Sequence, residues 1–78
     1  MDNNAVELVR FLATSLVDNP SDIVIETEEL EDGPVVTITT HPDDVGKVIG
    51  RNGRTIKSIR TLARAIAGQN GCQVEVNN

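Results

Sequence analysis

The sequence predicts an α+β fold in the order α-β-β-α-α-β, three strands in one sheet with three helices on one of its faces. Three observations predict it. Apolar residues recur at three- and four-residue spacing in two long stretches; β-branched or alternating apolar residues mark three short ones; proline, glycine and asparagine punctuate the joints. With 78 residues there is room for one domain, spanning residues 1–78, with one modest core.

The first segment, residues 4–17, reads as an amphipathic helix, because Ala5, Leu8, Val9, Leu12 and Leu16 fall on one face. Asn3 or Asn4 can cap it, and Asp18-Asn19-Pro20 ends it, since proline disfavours helix at the residue before it. Residues 22–29, led by Ile23-Val24-Ile25, predict a strand. Leu30-Glu31-Asp32-Gly33-Pro34 carries turn chemistry, and residues 35–40 predict a second strand, so the pair forms a hairpin. His41-Pro42-Asp43-Asp44 suits a helix start, with proline in the first turn and acids at the positive end of the dipole. A short helix then runs to Val48 or Ile49. A longer one spans residues 54–67 and closes at Gly68-Gln69-Asn70-Gly71. The alternation in residues 72–76 predicts the last strand.

The formal net charge of −5 argues, as an average, against a phosphate-bearing partner. Its distribution argues the reverse. Residues 1–44 hold eleven acids and one base, Arg10, whereas residues 45–78 hold six bases and one acid, Glu75. Lys47, Arg51, Arg54, Lys57, Arg60 and Arg64 thus occupy a stretch without any acid, the asymmetry expected of a chain that meets an anion on one side. The sole aromatic residue is Phe11, which excludes a platform of several stacked aromatics. Met1-Asp2-Asn3-Asn4 has no basic start to a secretory signal, and no apolar run approaches the ~18–20 residues of a membrane span. The lone Cys72 cannot form an internal disulfide and suits a small buried thiol, so a reducing, cytoplasmic setting is expected.

The informative stretch is Val45-Gly46-Lys47-Val48-Ile49-Gly50-Arg51-Asn52-Gly53-Arg54-Thr55-Ile56. Two glycines three apart, between two helices, let backbone approach whatever lies outside. Gly53 precedes a helix whose first N–H groups lack intrahelical partners and so offer donors to a phosphate. Arg51 and Arg54 add charge there. At about 100° per residue, Ile56, Ile59, Leu62, Ala63 and Ile66 share one arc of that helix, and Arg54, Lys57, Arg60 and Arg64 share another. The arcs do not overlap. A solubilising face normally mixes both signs, whereas this one is wholly positive.

Val48-Ile49-Gly50-Arg51-Asn52-Gly53-Arg54-Thr55-Ile56 resembles the Val-Ile-Gly-x-x-Gly-x-x-Ile signature of the KH (K homology) RNA-binding domain. The element order is similar to its bacterial, type II arrangement. Size, the Pro-Asp-Asp approach and Arg60-Thr61-Leu62 resemble the small single-domain bacterial KhpA family. The resemblance implies a groove for four nucleotides of single-stranded RNA, clamped by the Gly-x-x-Gly loop. It also implies an RNA chaperone or post-transcriptional regulator, often paired with a larger KH-containing protein and linked to cell elongation and division. Gly50, Arg51, Asn52 and Gly53 would then hold the RNA backbone. Val48, Ile49 and Ile56 would line or support the groove floor, and Lys47, Arg54 and Lys57 would lie near phosphates. Asn52 stands where relatives place a second basic residue, glycine or glutamine, which leaves Arg51 as the one cation inside the loop; asparagine tolerates left-handed backbone.

Two other functions compete with this one. An enzyme would need His41, Asp43 and Asp44 as an acid–base or metal cluster, but those positions suit capping and no second histidine exists. The glycines match neither a P-loop nor a dinucleotide fingerprint; no catalysis, metal or cofactor is expected. A protein-interaction module is the stronger rival: its basic helix face would meet an acidic surface, giving a homodimer or a heterodimer.

Overall fold

In a computed structural model of the chain, which describes residues 4–68 and 71–77, the elements follow the expected order. They are α1 (Asn4–Leu16), β1 (Val24–Leu30), β2 (Gly33–Thr39), α2 (Val45–Ile49), α3 (Arg54–Ala67) and β3 (Gln73–Asn77). Single 3₁₀ turns lie at Pro20–Asp22, Pro42–Asp44 and Arg51–Gly53. Asn3 as a cap, and Gln69 and Asn70 in the last connection, fall outside the described residues.

β1 and β2 pair antiparallel with Ile25 opposite Ile38, closing at Leu30 opposite Gly33. The turn is therefore Glu31-Asp32 alone, narrower than the predicted 30–34. Pro34 enters β2 one residue before β3 begins to pair, at Val35 opposite Gln73, where a missing N–H is tolerated. β3 joins β2 in parallel, giving the order β1-β2-β3. Parallel neighbours need a crossover, and α2 and α3 supply it. The segment carrying both glycines is thus the crossover itself.

Alternation along β2 buries Val36 and Ile38 on one face and leaves Val35, Thr37 and Thr39 half-buried on the other. All three helices cover the first face, contributing Val9, Ala13, Val48, Ile59 and Ala63 to a core shared with Val74. Each large buried aliphatic side chain contributes roughly 1.5–3 kcal/mol.

Two helix faces differ from expectation. In α1 the buried stripe is Ala5, Val9 and Ala13, continued by Val17, while Leu12 is half-buried and Leu16 is exposed. Small side chains at four-residue spacing allow close approach to α3, which displaces the leucines to the flanks; Ala13 carried no signal strong enough to be read. In α3, Ile56, Ile59 and Ala63 are buried, but Leu62 and Ile66 are 48% and 49% exposed. The apolar arc is wider than the surface available to cover it. No helix among the described residues is long and apolar enough to cross a membrane.

Candidate nucleic-acid interface

The loop between α2 and α3 is set by backbone conformation before charge enters. Gly50 has φ +80° and ψ 171°, a region essentially reserved for glycine. It also lies against Thr55: a Cβ added there would collide with the Thr55 side chain and come within 2.8 Å of its backbone nitrogen. Asn52 and Gly53 follow in left-handed conformation, at φ 58° and 74°. Asn52 is the sole non-glycine with positive φ among the described residues, the role its side chain suits. The N–H of Gly50 donates to Gly46 O at 2.8 Å, and that of Gly53 to Gly50 O at 3.1 Å. Around Gly53 there is open space; as N-cap of α3 it offers no side-chain acceptor to the first amides of that helix, the first of which, the Arg54 N–H, donates to Arg51 O. Arg51 and Arg54 are exposed beside those amides.

α2, only five residues long, is held from below and from the flank. Val48 is fully buried, and Ile49 packs half-buried against the core. On the flank, Asp44 is 1% exposed. Its Oδ2 accepts hydrogen bonds from Asn19, the backbone N–H at 3.0 Å and Nδ2 at 3.1 Å. Lys47 Nζ stands 3.4 Å from Asp18 Oδ2 and 3.6 Å from Asp44 Oδ1. Burial pushes the Asp44 carboxyl up, but the hydrogen bonds from Asn19, the nearby backbone N–H of Asp18 and the charge of Lys47 outweigh it, so the group titrates below the ordinary carboxylate range. Asp18, more than Asp44, raises the Lys47 ammonium above its ordinary value.

α3 presents Arg54, Lys57, Arg60 and Arg64 on its exposed side. One of these cations is committed: Arg60 Nε donates to Val74 O at 2.9 Å, binding the helix to β3. Between α3 and β3 lies a depression of about 230 Å³ lined by Arg60, Arg64, Cys72, Gln73, Val74 and Glu75. No signal in the sequence marks it, because it depends on β3 returning parallel to β2 beside α3. Cys72 forms part of its wall with the residue as a whole buried; burial, then the charge of Glu29, pushes the thiol up.

The residues singled out in the sequence therefore divide. Gly50, Arg51, Asn52, Gly53 and Arg54 come together at the loop, and Lys57 continues their face one turn along α3. Val48 and Ile56 lie in the core beneath it, with Ile49 between core and surface. Lys47 faces the acidic residues instead. Of His41 and its neighbours, His41 is the one that caps: its Nδ1 accepts from the Asp43 N–H at 3.0 Å, whereas Asp44, at the N-cap of α2, makes no capping bond and is taken up by Asn19 and Lys47.

A family model described as the KH domain of KhpA and KhpB matches residues 6–77. The RNA-binding protein KhpA of Streptomyces coelicolor is 44% identical over 70 residues, covering 90% of this chain and 87% of the relative. The protein of the same name from Oceanobacillus iheyensis is 53% identical over 58 residues, 74% of this chain and 77% of the relative. Among solved structures, an Aquifex aeolicus Era variant bound to GDP and aluminium fluoride superposes with a TM-score of 0.63 at 25% identity. That match covers 94% of this chain but 30% of the Era chain, and the likeness is one of fold.

Proposed function

Since the chain belongs to the KhpA/KhpB family of KH domains, we propose that it binds single-stranded RNA through the loop at residues 50–53, in a binding and not a catalytic role. The observation that carries this reading is the loop itself. Consecutive left-handed residues open onto the start of a fourteen-residue helix whose N-cap glycine offers no side-chain acceptor, flanked by the exposed cations Arg51, Arg54 and Lys57. Such a helix start attracts phosphate through its donors and its dipole. Gly50, Arg51, Asn52 and Gly53 hold the RNA backbone, and Arg54 and Lys57 border it. Ile49 meets the bases at the rim, Val48 and Ile56 support it from the core, and the bases run on into the depression between α3 and β3. With one aromatic residue in the chain, the bases pack on aliphatic surface, and affinity is modest and salt-sensitive.

The wider role proposed, an RNA chaperone or post-transcriptional regulator in the cytoplasm, linked to cell elongation and division, rests on the family likeness. So does pairing with a larger KH-containing protein. Replacing Arg51 and Asn52 together by aspartate is the test. Binding of a short unstructured RNA weakens, and the slope of log affinity against log salt falls by roughly 0.7 for each phosphate no longer neutralised. Unchanged affinity in a folded variant overturns the assignment.

The half-exposed Leu62 and Ile66 favour a second reading, in which α3 also serves as a dimer surface. Sedimentation at several protein and salt concentrations decides it: a strict monomer throughout removes the dimer.

A further inference from the structure

Opposite charges from the acidic and basic halves of the chain meet at a seam built from Asp18, Asn19, Asp44 and Lys47. Within it the two oxygens of Asp44 are treated differently. Oδ2 accepts both hydrogen bonds from Asn19, whereas Oδ1 is buried and accepts none, so the ammonium of Lys47 at 3.6 Å is what faces it. The second ion pair, to Asp18, lies at the surface, with the Asp18 side chain 77% exposed. These two pairs have unequal consequences. A surface pair gives way at almost no cost. Drawing Lys47 off to an RNA phosphate would leave a buried anionic oxygen with neither a hydrogen bond nor a counter-charge, the expensive case. Direction agrees, because helical side chains lean toward the N-terminus: from α2, Lys47 reaches back to Asp44 and away from Gly50.

The seam has something to hold. A five-residue helix is far below the length that persists unaided, and α2 leads directly into Gly50, whose N–H closes its last turn on Gly46 O. The loop therefore takes its place from two anchors, Val48 in the core and the Asp44–Lys47 pair on the flank. The second is tied through Asn19 to the connection between α1 and β1.

We propose that Lys47 and Asp44 are positioning residues for the Gly-x-x-Gly loop: their charge pair fixes the short helix that carries it, and Lys47 itself touches no phosphate. This inference rests on the reading of the loop as an RNA site, and the test separates the two. Binding of a short unstructured RNA is titrated with salt for the wild type, Lys47→Met, Lys47→Arg and Arg54→Met. Lys47→Met lowers affinity by a factor of about five at every salt concentration, shifting the line without changing its slope, and Lys47→Arg recovers it. Arg54→Met lowers the slope by about 0.7. A Lys47→Met slope that falls by the same amount overturns the proposal, as does a variant with unchanged affinity.

Amide hydrogen exchange at Gly50 and Gly53 reads the seam without RNA. Faster exchange in Lys47→Met supports the proposal, and unchanged exchange overturns it even if the RNA reading has failed on Arg54. Asp18→Asn, at an exposed position, covers the case of a Lys47→Met variant that does not fold. Its slope stays at the wild-type value, and a rise of about 0.7 would show Lys47 freed to reach phosphate, against the proposal.

Discussion

The β1–β2 hairpin and the α2–loop–α3 segment are both exposed, and each carries charge of one sign. Glu26, Glu28, Glu29, Glu31 and Asp32 lie on the hairpin without a base among them. Strand alternation sends Glu29 to the face of half-buried Ile25 and Glu26 and Glu28 to the other. Repulsion of this kind needs no geometry: any arrangement of those carboxylates keeps a polyanion away. The loop segment is constrained at several residues. Gly50 is confined by its own φ and ψ and by Thr55, Asn52 and Gly53 are left-handed, and Val48 and Ile56 are locked in the core. Attraction to a phosphate at hydrogen-bond distance does need geometry, and here the sequence tolerates the least change.

The largest break of this contrast comes from Gly50→Ala. The methyl group forces a residue out of a glycine-only region and into Thr55, at about 3 kcal/mol. For a domain of this size that lowers Tm by about 12–24 °C and removes RNA binding with it, as thermal unfolding and an RNA titration together would show.

Next in size is the acid limb at the seam. The folded Asp44 carboxyl titrates below the ordinary value of 3.8. Its contribution to stability is fully present above that value and is lost as pH falls through the lower, folded value. Thermal unfolding followed from pH 6 to pH 2 therefore shows a decline that Asp44→Asn makes shallower, although the variant is less stable throughout.

Smallest is reversal of hairpin charge. Glu26→Lys with Glu28→Lys changes stability by no more than about 0.5 kcal/mol. RNA affinity rises modestly at low salt, and the rise vanishes near 1 M, where the screening length is only about 3 Å. A large loss of stability would mean that the hairpin is as constrained as the loop.

Much of this was legible in the sequence because it is local. The bounds of α3, the core positions Ile56, Ile59 and Ala63, the left-handed Asn52 and the buried Cys72 all follow from spacing, turn chemistry or residue type. Other expectations failed where a neighbour distant in the chain decides. Leu62 and Ile66 share an apolar arc with Ile59, yet nothing packs over them fully; α1 buries its alanines because α3 comes close. Arg60 reads as one cation in a row of four until β3 places Val74 O within its reach.

By itself, then, the sequence determined the order of the elements, the family, the separation of charge into an acidic and a basic half, and the place of the Gly-x-x-Gly loop. Periodicity and backbone preference act over a few residues, and those features need nothing more. Tertiary structure alone decided which cations remain free. Lys47 and Arg54 look alike among the basic residues of the sequence, but packing brings Asp18 to one and leaves the other in solvent beside the amides of α3. A charge is available to a ligand only after the fold has settled what it already neutralises.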